Sequence, residues 1–361
     1  MDPDTGHTRQ FGPLSDQVAL LERLVDRNGN TIDFDYDTHG VPLGIRHCGG
    51  YHLAIATEDG RVTALNLVGS AADGADTAIK RFGYTDGQLT DITDSSGLPL
   101  RLTYDDRLRV TSWTDTNDSS YVYGYDEQDR CTSQAGGEGH MAYTFAYDGT
   151  DPAFTGHRVT TLTSAAGAVS RYVISAGSQV VAEIDPLGHI TRTAYDSNHH
   201  ILSRTNALGH TTRFVNDESG RPLAVIRPDG AQTAYEYNEL GLPLTLTLPD
   251  RATVHCAYDT RGNRIAVTDT DGETTRYTYT TAGHLAGYTD PLGATTTIRT
   301  DVAGLPLEIT DPLGAVIRHE RDALGRTTTM TDPAGAVTHL QWTVEGQLAS
   351  QHGHLHLRRR G

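Results

Sequence analysis

Cysteine is scarce in this chain. Cys48, Cys131 and Cys256 are the 3 present among 361 residues; they lie far apart, and none belongs to a Cys-x-x-Cys pair. That excludes a disulfide framework or a thiolate zinc site as the organising element, and the thiols read as buried or half-buried packing residues. No apolar run approaches the roughly 18 residues that span a bilayer. The start, Met1-Asp2-Pro3-Asp4, is too acidic and polar for a Sec-type leader. Positive charge is in deficit: 29 Lys and Arg face 46 Asp and Glu, a formal net charge of -17. Phosphate backbones and anionic lipid surfaces repel such a chain on average. The one basic run, Arg358-Arg359-Arg360, stands at the extreme end, so nucleic acid is not an expected partner. Helical periodicity is missing except over residues 16–25, where Val18, Leu21, Leu24 and Val25 predict a short helix capping the first edge of the fold. Gly-x-Ser-x-Gly, the P-loop and His-Glu-x-x-His are absent too. No catalytic residue, cofactor or metal is expected from these signals.

What is abundant is Gly, at 38 residues, and Tyr, whose 17 copies far exceed the 6 of Phe. Short strands joined by tight turns use that mixture. The turns recur on a fixed period, the mark of a repeat architecture. Asp-Pro-Leu-Gly begins at Asp185, Asp290 and Asp311, and Asp-Pro-Ala-Gly at Asp332; the last three starts are 21 apart. The same step taken backward gives the column Gly167, Gly188, Gly209, Gly230, Arg251, Gly272, Gly293, Gly314 and Gly335, in which Arg251 alone is out of type. A second column, Gly220, Gly241, Gly262, Gly283, Gly304, Gly325 and Gly346, comes 11 residues after the first and is preceded by Tyr-Asp or a relative, as at Tyr195-Asp196 and Tyr258-Asp259.

Each turn has a mechanism. Asp185, Asp290, Asp311 and Asp332 suit the first position of a type I turn, Pro186, Pro291, Pro312 and Pro333 are pre-set for the second, and Gly188, Gly293, Gly314 and Gly335 suit the fourth. The Tyr-Asp-x-x-Gly turn fits a longer loop closed by a glycine bulge. Between turns the pattern has period two: Phe214, Tyr235, Cys256 and Tyr277, then Tyr195, Tyr237, Tyr258 and Tyr279, with Glu236, Thr278 and an arginine column, Arg192, Arg213, Arg276 and Arg318, on the other face. The second segment alternates likewise, with Leu202, Leu223, Leu244 and Ile265 followed by Val225, Leu246 and Val267. Two strands and two turns per unit predict an all-β antiparallel hairpin meander.

The N-terminal half is the same material, less regular. Residues 53–67 predict a hairpin around Glu58-Asp59-Gly60, and residues 69–76 and 133–140 read as loops or insertions. The expected organisation is an entry segment at 1–25, irregular repeats with insertions at 26–163, regular repeats at 164–352 and a tail at 353–361. The register calls for another Asp-Pro-x-Gly at 353, where Gly353-His354-Leu355-His356 stands, so the array reads as cut in mid-repeat.

The recurrent Tyr-x-Tyr-Asp-x-x-Gly followed by Asp-Pro-x-Gly, clear at Tyr235-Glu236-Tyr237-Asn238 and from Tyr277-Thr278-Tyr279 to Gly293, resembles the YD or Rhs repeat over nearly the whole chain. Members include bacterial Rhs polymorphic toxins, the C component of insecticidal toxin complexes, wall-associated proteins and animal teneurins. The resemblance implies a strip that curls or spirals toward a hollow shell, with a C-terminal toxin domain enclosed in the bacterial forms. The physics of the strip agrees, because a one-layer meander cannot bury its apolar face unless it curls or stacks.

Four clusters invite a sharper function. His352, His354 and His356 alternate and would face one way on a strand, as a Zn or Ni set would; a polar tail is the plainer account. Asp33, Asp35 and Asp37 also alternate, but the first two fall in polar-face columns and Asp37 is the turn Asp. Asp269-Thr270-Asp271-Gly272-Glu273 resembles part of a calcium loop, yet it sits in the Asp-Pro-Leu-Gly register. The Asp-Pro motifs resemble the family's self-cleavage site, where Asp residues act as catalysts, but all of them belong to the regular array and none is singled out. The leading expectation is therefore a non-catalytic scaffold, partnered by other parts of a longer Rhs-type protein or by a toxin domain, and secreted or surface-exposed. The alternative is a carbohydrate-binding or adhesion array in which the Tyr columns stack on glycans. Open first and last strands predict self-association.

Overall fold

The computed structural model describes residues 5–71 and 73–354; the acidic residues 1–4, His356 and the basic run at 358–360 lie outside the described residues. It contains 32 strands, each paired antiparallel with the next, from Thr8–Pro13 to Leu348–His354. The only helical elements among the described residues are two single 3-10 turns, Gly137–Gly139 and Pro152–Phe154. No described helix is long and apolar enough to cross a membrane.

The sheet is a single layer. Its accessible surface is 22601 Å², against about 14,000 Å² for a compact monomer of 39.0 kDa. The buried hydrophobics among the described residues are Leu67, Val159, Val173, Ala182, Ile184 and Ala224. Four of them form one local core, and the turn Pro152–Phe154 folds over it with Phe154. Arg171 holds that turn through Asp151 at 2.6 Å, and the Arg192 guanidinium lies 5.5 Å from the Phe154 ring centroid. Elsewhere stability rests on strand pairing and turn chemistry, as in other repeat arrays.

One unit shows the rule. Strand Thr253–Tyr258 pairs with Arg264–Thr268 from His255↔Thr268 to Tyr258↔Arg264, with a bulge at the Ala257/Tyr258 step. Arg264–Thr268 then pairs with Thr274–Tyr279 over only three residue pairs, Ala266↔Arg276 to Thr268↔Thr274. Hydroxyl pairs close the outer end of such short ladders: Thr205–Thr211, Thr268–Thr274 and Thr289–Thr295, each 2.9 Å apart. Alternation holds on the first strand of each unit, where Arg192, Arg213, Arg276 and Arg318 are exposed and Tyr195, Tyr237, Tyr258 and Tyr279 half-buried.

The structure corrects four expectations. Residues 16–25 contain no helix; Ala19–Val25 is a strand between Thr8–Pro13 and Thr31–Tyr36. A bulge opposite Gln10 and Phe11 leaves Glu22 unpaired and switches phase there, so Leu21 and Leu24 mimic a helical spacing. Residues 131–136 extend the sheet as strand Cys131–Gly136, and the irregular part is confined to the turn Gly137–Gly139 and its immediate neighbours. Leu202, Leu223, Leu244 and Ile265 are the extra residues of bulges and are 43, 38, 36 and 39% exposed, off the apolar face that bare alternation assigns them. Cys48 is exposed, while Cys131 and Cys256 are half-buried; all three are free thiols. The hairpin at Glu58-Asp59-Gly60 forms as expected, between His52–Glu58 and Arg61–Leu67.

Candidate functional site, two turn edges and a closing seam

The turns of the strip line up along two edges, one of Asp-Pro type and one of Tyr-Asp type. Both use a single geometry. At Asp290 the amide donates to the Ala294 carbonyl at 2.9 Å and Gly293 donates to the Asp290 carbonyl at 3.0 Å; at Asp259 the partners are Asn263 at 2.9 Å and Gly262 at 3.1 Å. The result is a three-residue loop whose last residue is left-handed, with φ 86° at Gly293 and 89° at Gly262. Gly188, Gly314 and Gly335 match at 85, 83 and 83°, whereas Arg251 is forced to 70°.

The aspartate carboxylate is the clamp. One oxygen of Asp185 accepts from the amides of Leu187 and His189, that of Asp311 from Leu313 and Ala315, and those of Asp290 and Asp332 from Ala294 and Ala336. On the Tyr-Asp edge the second oxygen takes the side chain four residues on: Arg109 on Asp105, Arg130 on Asp126, Arg221 on Asp217, Arg326 on Asp322 and Asn263 on Asp259. The guanidinium and amide of Arg109 hold Asp105 below the usual carboxylate value; at Asp196 the His200 amide does so. Pro186, Pro291, Pro312 and Pro333 follow these aspartates at a position needing no amide donor.

The Tyr columns have a role the sequence pattern did not reveal. The hydroxyl of Tyr237 donates to the Pro222 carbonyl, Tyr258 to Pro243, Tyr279 to Arg264 and Tyr195 to Val180, each 15 residues back, at 2.8, 2.9, 2.9 and 3.2 Å. Tyr36, Tyr104 and Tyr125 do the same, and Asn216, Arg321 and Trp342 replace the phenol at equivalent places. In each regular unit the ladder between those two strands has ended before this point, so the phenol spans strands that have parted. A donor at the Tyr position in nearly every unit was the available signal.

The candidate metal sets are used otherwise. Asp33 pairs with Arg23 and Asp35 with Arg46, at 2.5 Å each, and Asp37 caps its turn through the amides of His39 and Val41. Asp269 accepts from Asp271 and Glu273 amides, as the other turns do. His352 lies on the last strand opposite His339, and His356 is outside the described residues. Among the described residues no three His, Cys, Asp or Glu side chains are grouped as a metal would need.

The feature that sequence spacing could not show is a seam. The first coil's Asp-Pro edge meets the last units' Tyr-Asp edge. Arg27 donates to the Leu240 carbonyl at 3.3 Å, Asn30 to the Ala282 carbonyl at 3.0 Å, and Asn28 and Asn263 exchange amide bonds at 3.1 and 2.9 Å across a separation of 235 residues. Gly49 sits against Ala303, and the Tyr51 hydroxyl lies over Gly325. Burial raises the Tyr51 phenol, and Asp301 adds to it. Farther on, the amide and hydroxyl of Ser95 donate to the two carboxylate oxygens of Glu345 at 2.8 and 2.6 Å and pull that acid down. The strip thus winds through a full circuit and closes on itself edge to edge.

Known proteins share this fold. A family model described as "Teneurin YD-shell" matches residues 159–354, and one described as "RHS Repeat" matches residues 104–141. A curated relative, "Probable deoxyribonuclease RhsA" of Dickeya dadantii (strain 3937), is 25% identical over 140 residues, 38% of this chain and 10% of that protein. Among solved structures, "TcdB2-TccC3" matches with a TM-score of 0.65 at 13% identity, covering 94% of this chain and 25% of that one. "TcdB2-TccC3 without hypervariable C-terminal region" matches at 0.66 and 12%, covering 91% and 22%. At that identity the likeness shows the fold, and this chain spans about a tenth of the curated relative and about a quarter of the structural neighbours.

Proposed function

Because the chain belongs to the YD-shell family of Rhs-type repeat proteins, we propose that it is a stretch of shell wall that encloses or presents a toxin or effector domain. The chain itself is a shell-like repeat scaffold. Support for an enclosing role comes from the seam. A strip that passes its own start and bonds to it, through Asn28 with Asn263 and Ser95 with Glu345, makes a wall with an inside. No catalytic role is assigned to the chain; its turn aspartates are committed to amides and its tyrosine columns to strand carbonyls. Export from the cell belongs to the same proposal, since a shell around an effector serves delivery.

The glycan reading gains nothing here. Tyr237 and Tyr279 use their hydroxyls inside the strip and keep their rings half-buried between strands.

The test is to follow the reading frame that contains the chain and digest its full product with a broad protease. A variable domain downstream, protected in the intact product and cut once the seam is opened by Asn28→Lys with Asn263→Lys, is expected. A downstream domain digested as fast in the intact product as alone would overturn the proposal.

A further inference from the structure

Asn28 is followed by Gly29, and no other asparagine in the chain precedes a glycine. Asparagine before glycine is the pair most prone to lose its side-chain amide, because glycine has no Cβ to obstruct attack by its own nitrogen. Here the pair stands in the seam. Beyond its two chain neighbours, no described residue would come within 4 Å of a Cβ at Gly29, so that side of the turn is open to water.

Hydrogen bonds hold the reacting groups apart while the seam is closed. Asn263 takes both ends of the Asn28 side-chain amide, at 3.1 and 2.9 Å. The Asn28 backbone amide donates to Asp26 Oδ1 at 2.8 Å, and that of Gly29 donates to the Asp26 carbonyl at 3.2 Å. Attack requires the Asn28 side chain to swing toward its own backbone and the Gly29 nitrogen to leave its acceptor.

We propose that Asn28-Gly29 is a self-modification site that the closed seam guards and an opened seam exposes. The Gly29 nitrogen, losing its proton to water, bonds to Asn28 Cγ, and Nδ2 leaves as ammonia. Water then opens the resulting cyclic imide at one carbonyl or the other, leaving aspartate or isoaspartate at position 28. Water is the only co-reactant. The product does not fit the seam it came from. A carboxylate oxygen replaces the Nδ2 that donated to Asn263 Oδ1, so acceptor meets acceptor. Asn263 cannot turn its amide over without loss, because its Nδ2 also donates to Asp259 Oδ2 at 2.8 Å. That one amino group would then bridge two carboxylates, whose like charges repel. Isoaspartate also adds a methylene to the backbone of the turn. An opening is thereby recorded covalently, and reclosure is weakened. The inference needs the seam but no enclosed domain.

The experiment ages the full chain in mildly alkaline buffer and quantifies aspartate and isoaspartate at position 28 by peptide mass mapping. Folded wild type, folded Asn263→Ala and wild type in urea are compared. Conversion is expected to be fastest in urea and slowest in folded wild type. In Asn263→Ala it should run about threefold or more faster than in wild type, since the rate follows the open population. The product itself is read with Asn28→Asp, which keeps the turn because Asp229 and Asp271 fill the same third position elsewhere. Its amide hydrogen exchange is expected to rise in the turns at 26–30 and 259–263. Folded wild type that converts as fast as the unfolded chain, or as fast as Asn263→Ala, overturns the guarding role. Unchanged exchange in Asn28→Asp overturns the weakened reclosure. Should Asn263→Ala unfold, Asn263→Ser is read by the same criterion.

Discussion

Removing one phenolic hydroxyl tests the account of the tyrosine columns. Tyr279 donates to the Arg264 carbonyl at 2.9 Å, beyond the point where the ladder between their strands ends at Ala266↔Arg276. Tyr279→Phe keeps the ring and deletes that bond. A neutral hydrogen bond of this kind contributes about 1 kcal/mol, and a carbonyl reachable by water is left partly satisfied, so the loss belongs at or below that figure. Spread over 361 residues, at about 2.1 cal/mol/K per residue, it would move a global midpoint by only about 1 °C. Repeat arrays, however, open locally, with each unit coupled mainly to its neighbours. Amide hydrogen exchange read by mass spectrometry is therefore the assay. A loss of about 1 kcal/mol speeds exchange about fivefold where local opening governs it. The acceleration is expected in Arg264–Thr268 and Thr274–Tyr279 and to fade within a unit on either side. Tyr279→Ala, which also removes the half-buried ring, should cost about 2 kcal/mol or more in the same place. An unchanged exchange profile in Tyr279→Phe, or one altered evenly along the chain, would refute the strand-spanning role.

The same geometry sets further outcomes. Arg251→Gly should stabilise by about 1 kcal/mol, because φ 70° suits glycine and strains arginine; chemical denaturation reads it, and a destabilised variant contradicts the turn assignment. Asn28→Ala and Asn263→Ala should be non-additive by about 0.5–1 kcal/mol in a double-mutant cycle, reporting the seam; additive losses would mean that the contact is not formed in solution. Stability should fall at both pH extremes. Burial raises the phenols of Tyr237, Tyr258 and Tyr279 above 10.0, so their contribution is full below that value and lost as pH climbs through the folded values. Asp105, Asp37 and Asp196 are held below 3.8, so their share is full above that value and lost as pH falls through the folded values. A melting temperature that begins to drop near neutrality would place the sensitivity elsewhere.

Most of the architecture was legible because this fold is local. Asp290, Pro291 and Gly293 specify a turn within four residues, and Tyr277 and Tyr279 declare a strand face within three, so a 21-residue period suffices to lay out the regular units. Legibility failed where a bulge shifts the phase. Glu22 between Leu21 and Arg23, and Ile265 beside Ala266, are invisible to a strict alternation count, which is why one strand resembled a helix and four residues were given the wrong exposure. The seam was not legible at all. Its partners stand 235 or 250 residues apart and are ordinary turn residues, Asn28 and Asn263, Ser95 and Glu345. Only the accumulated curvature of many hairpins brings them together, and no local pattern encodes it.

The half-buried tyrosines and clamped aspartates answer one physical problem. A single-layer sheet has few neighbours with which to bury apolar area, as the six buried hydrophobics among the described residues show. It must instead satisfy its backbone wherever the ladders end. Each unit has two such places. At the turns, the carboxylate collects amides that the loop leaves open, and the left-handed glycine lets the chain return without strain. Where neighbouring strands part beside the bulge, the phenol, or Asn216, Arg321 or Trp342 in its place, reaches the stranded carbonyl. Tyr and Asp are adjacent in the motif because both sit where the strand gives way to its turn. Most of the substitutions support this over simple packing: a shared ability to donate, rather than a shared shape, is what Tyr, Asn, Arg and Trp have in common at that position, with Ile174 the apolar exception. Thr300 occupies it in the unit before Asp301, with a side chain shorter than any of these four. Thr300→Tyr should therefore protect the amides of Leu285–Thr289 and Thr295–Thr300 from exchange, whereas Thr300→Phe should not. Equal protection by the two would return the column to packing alone.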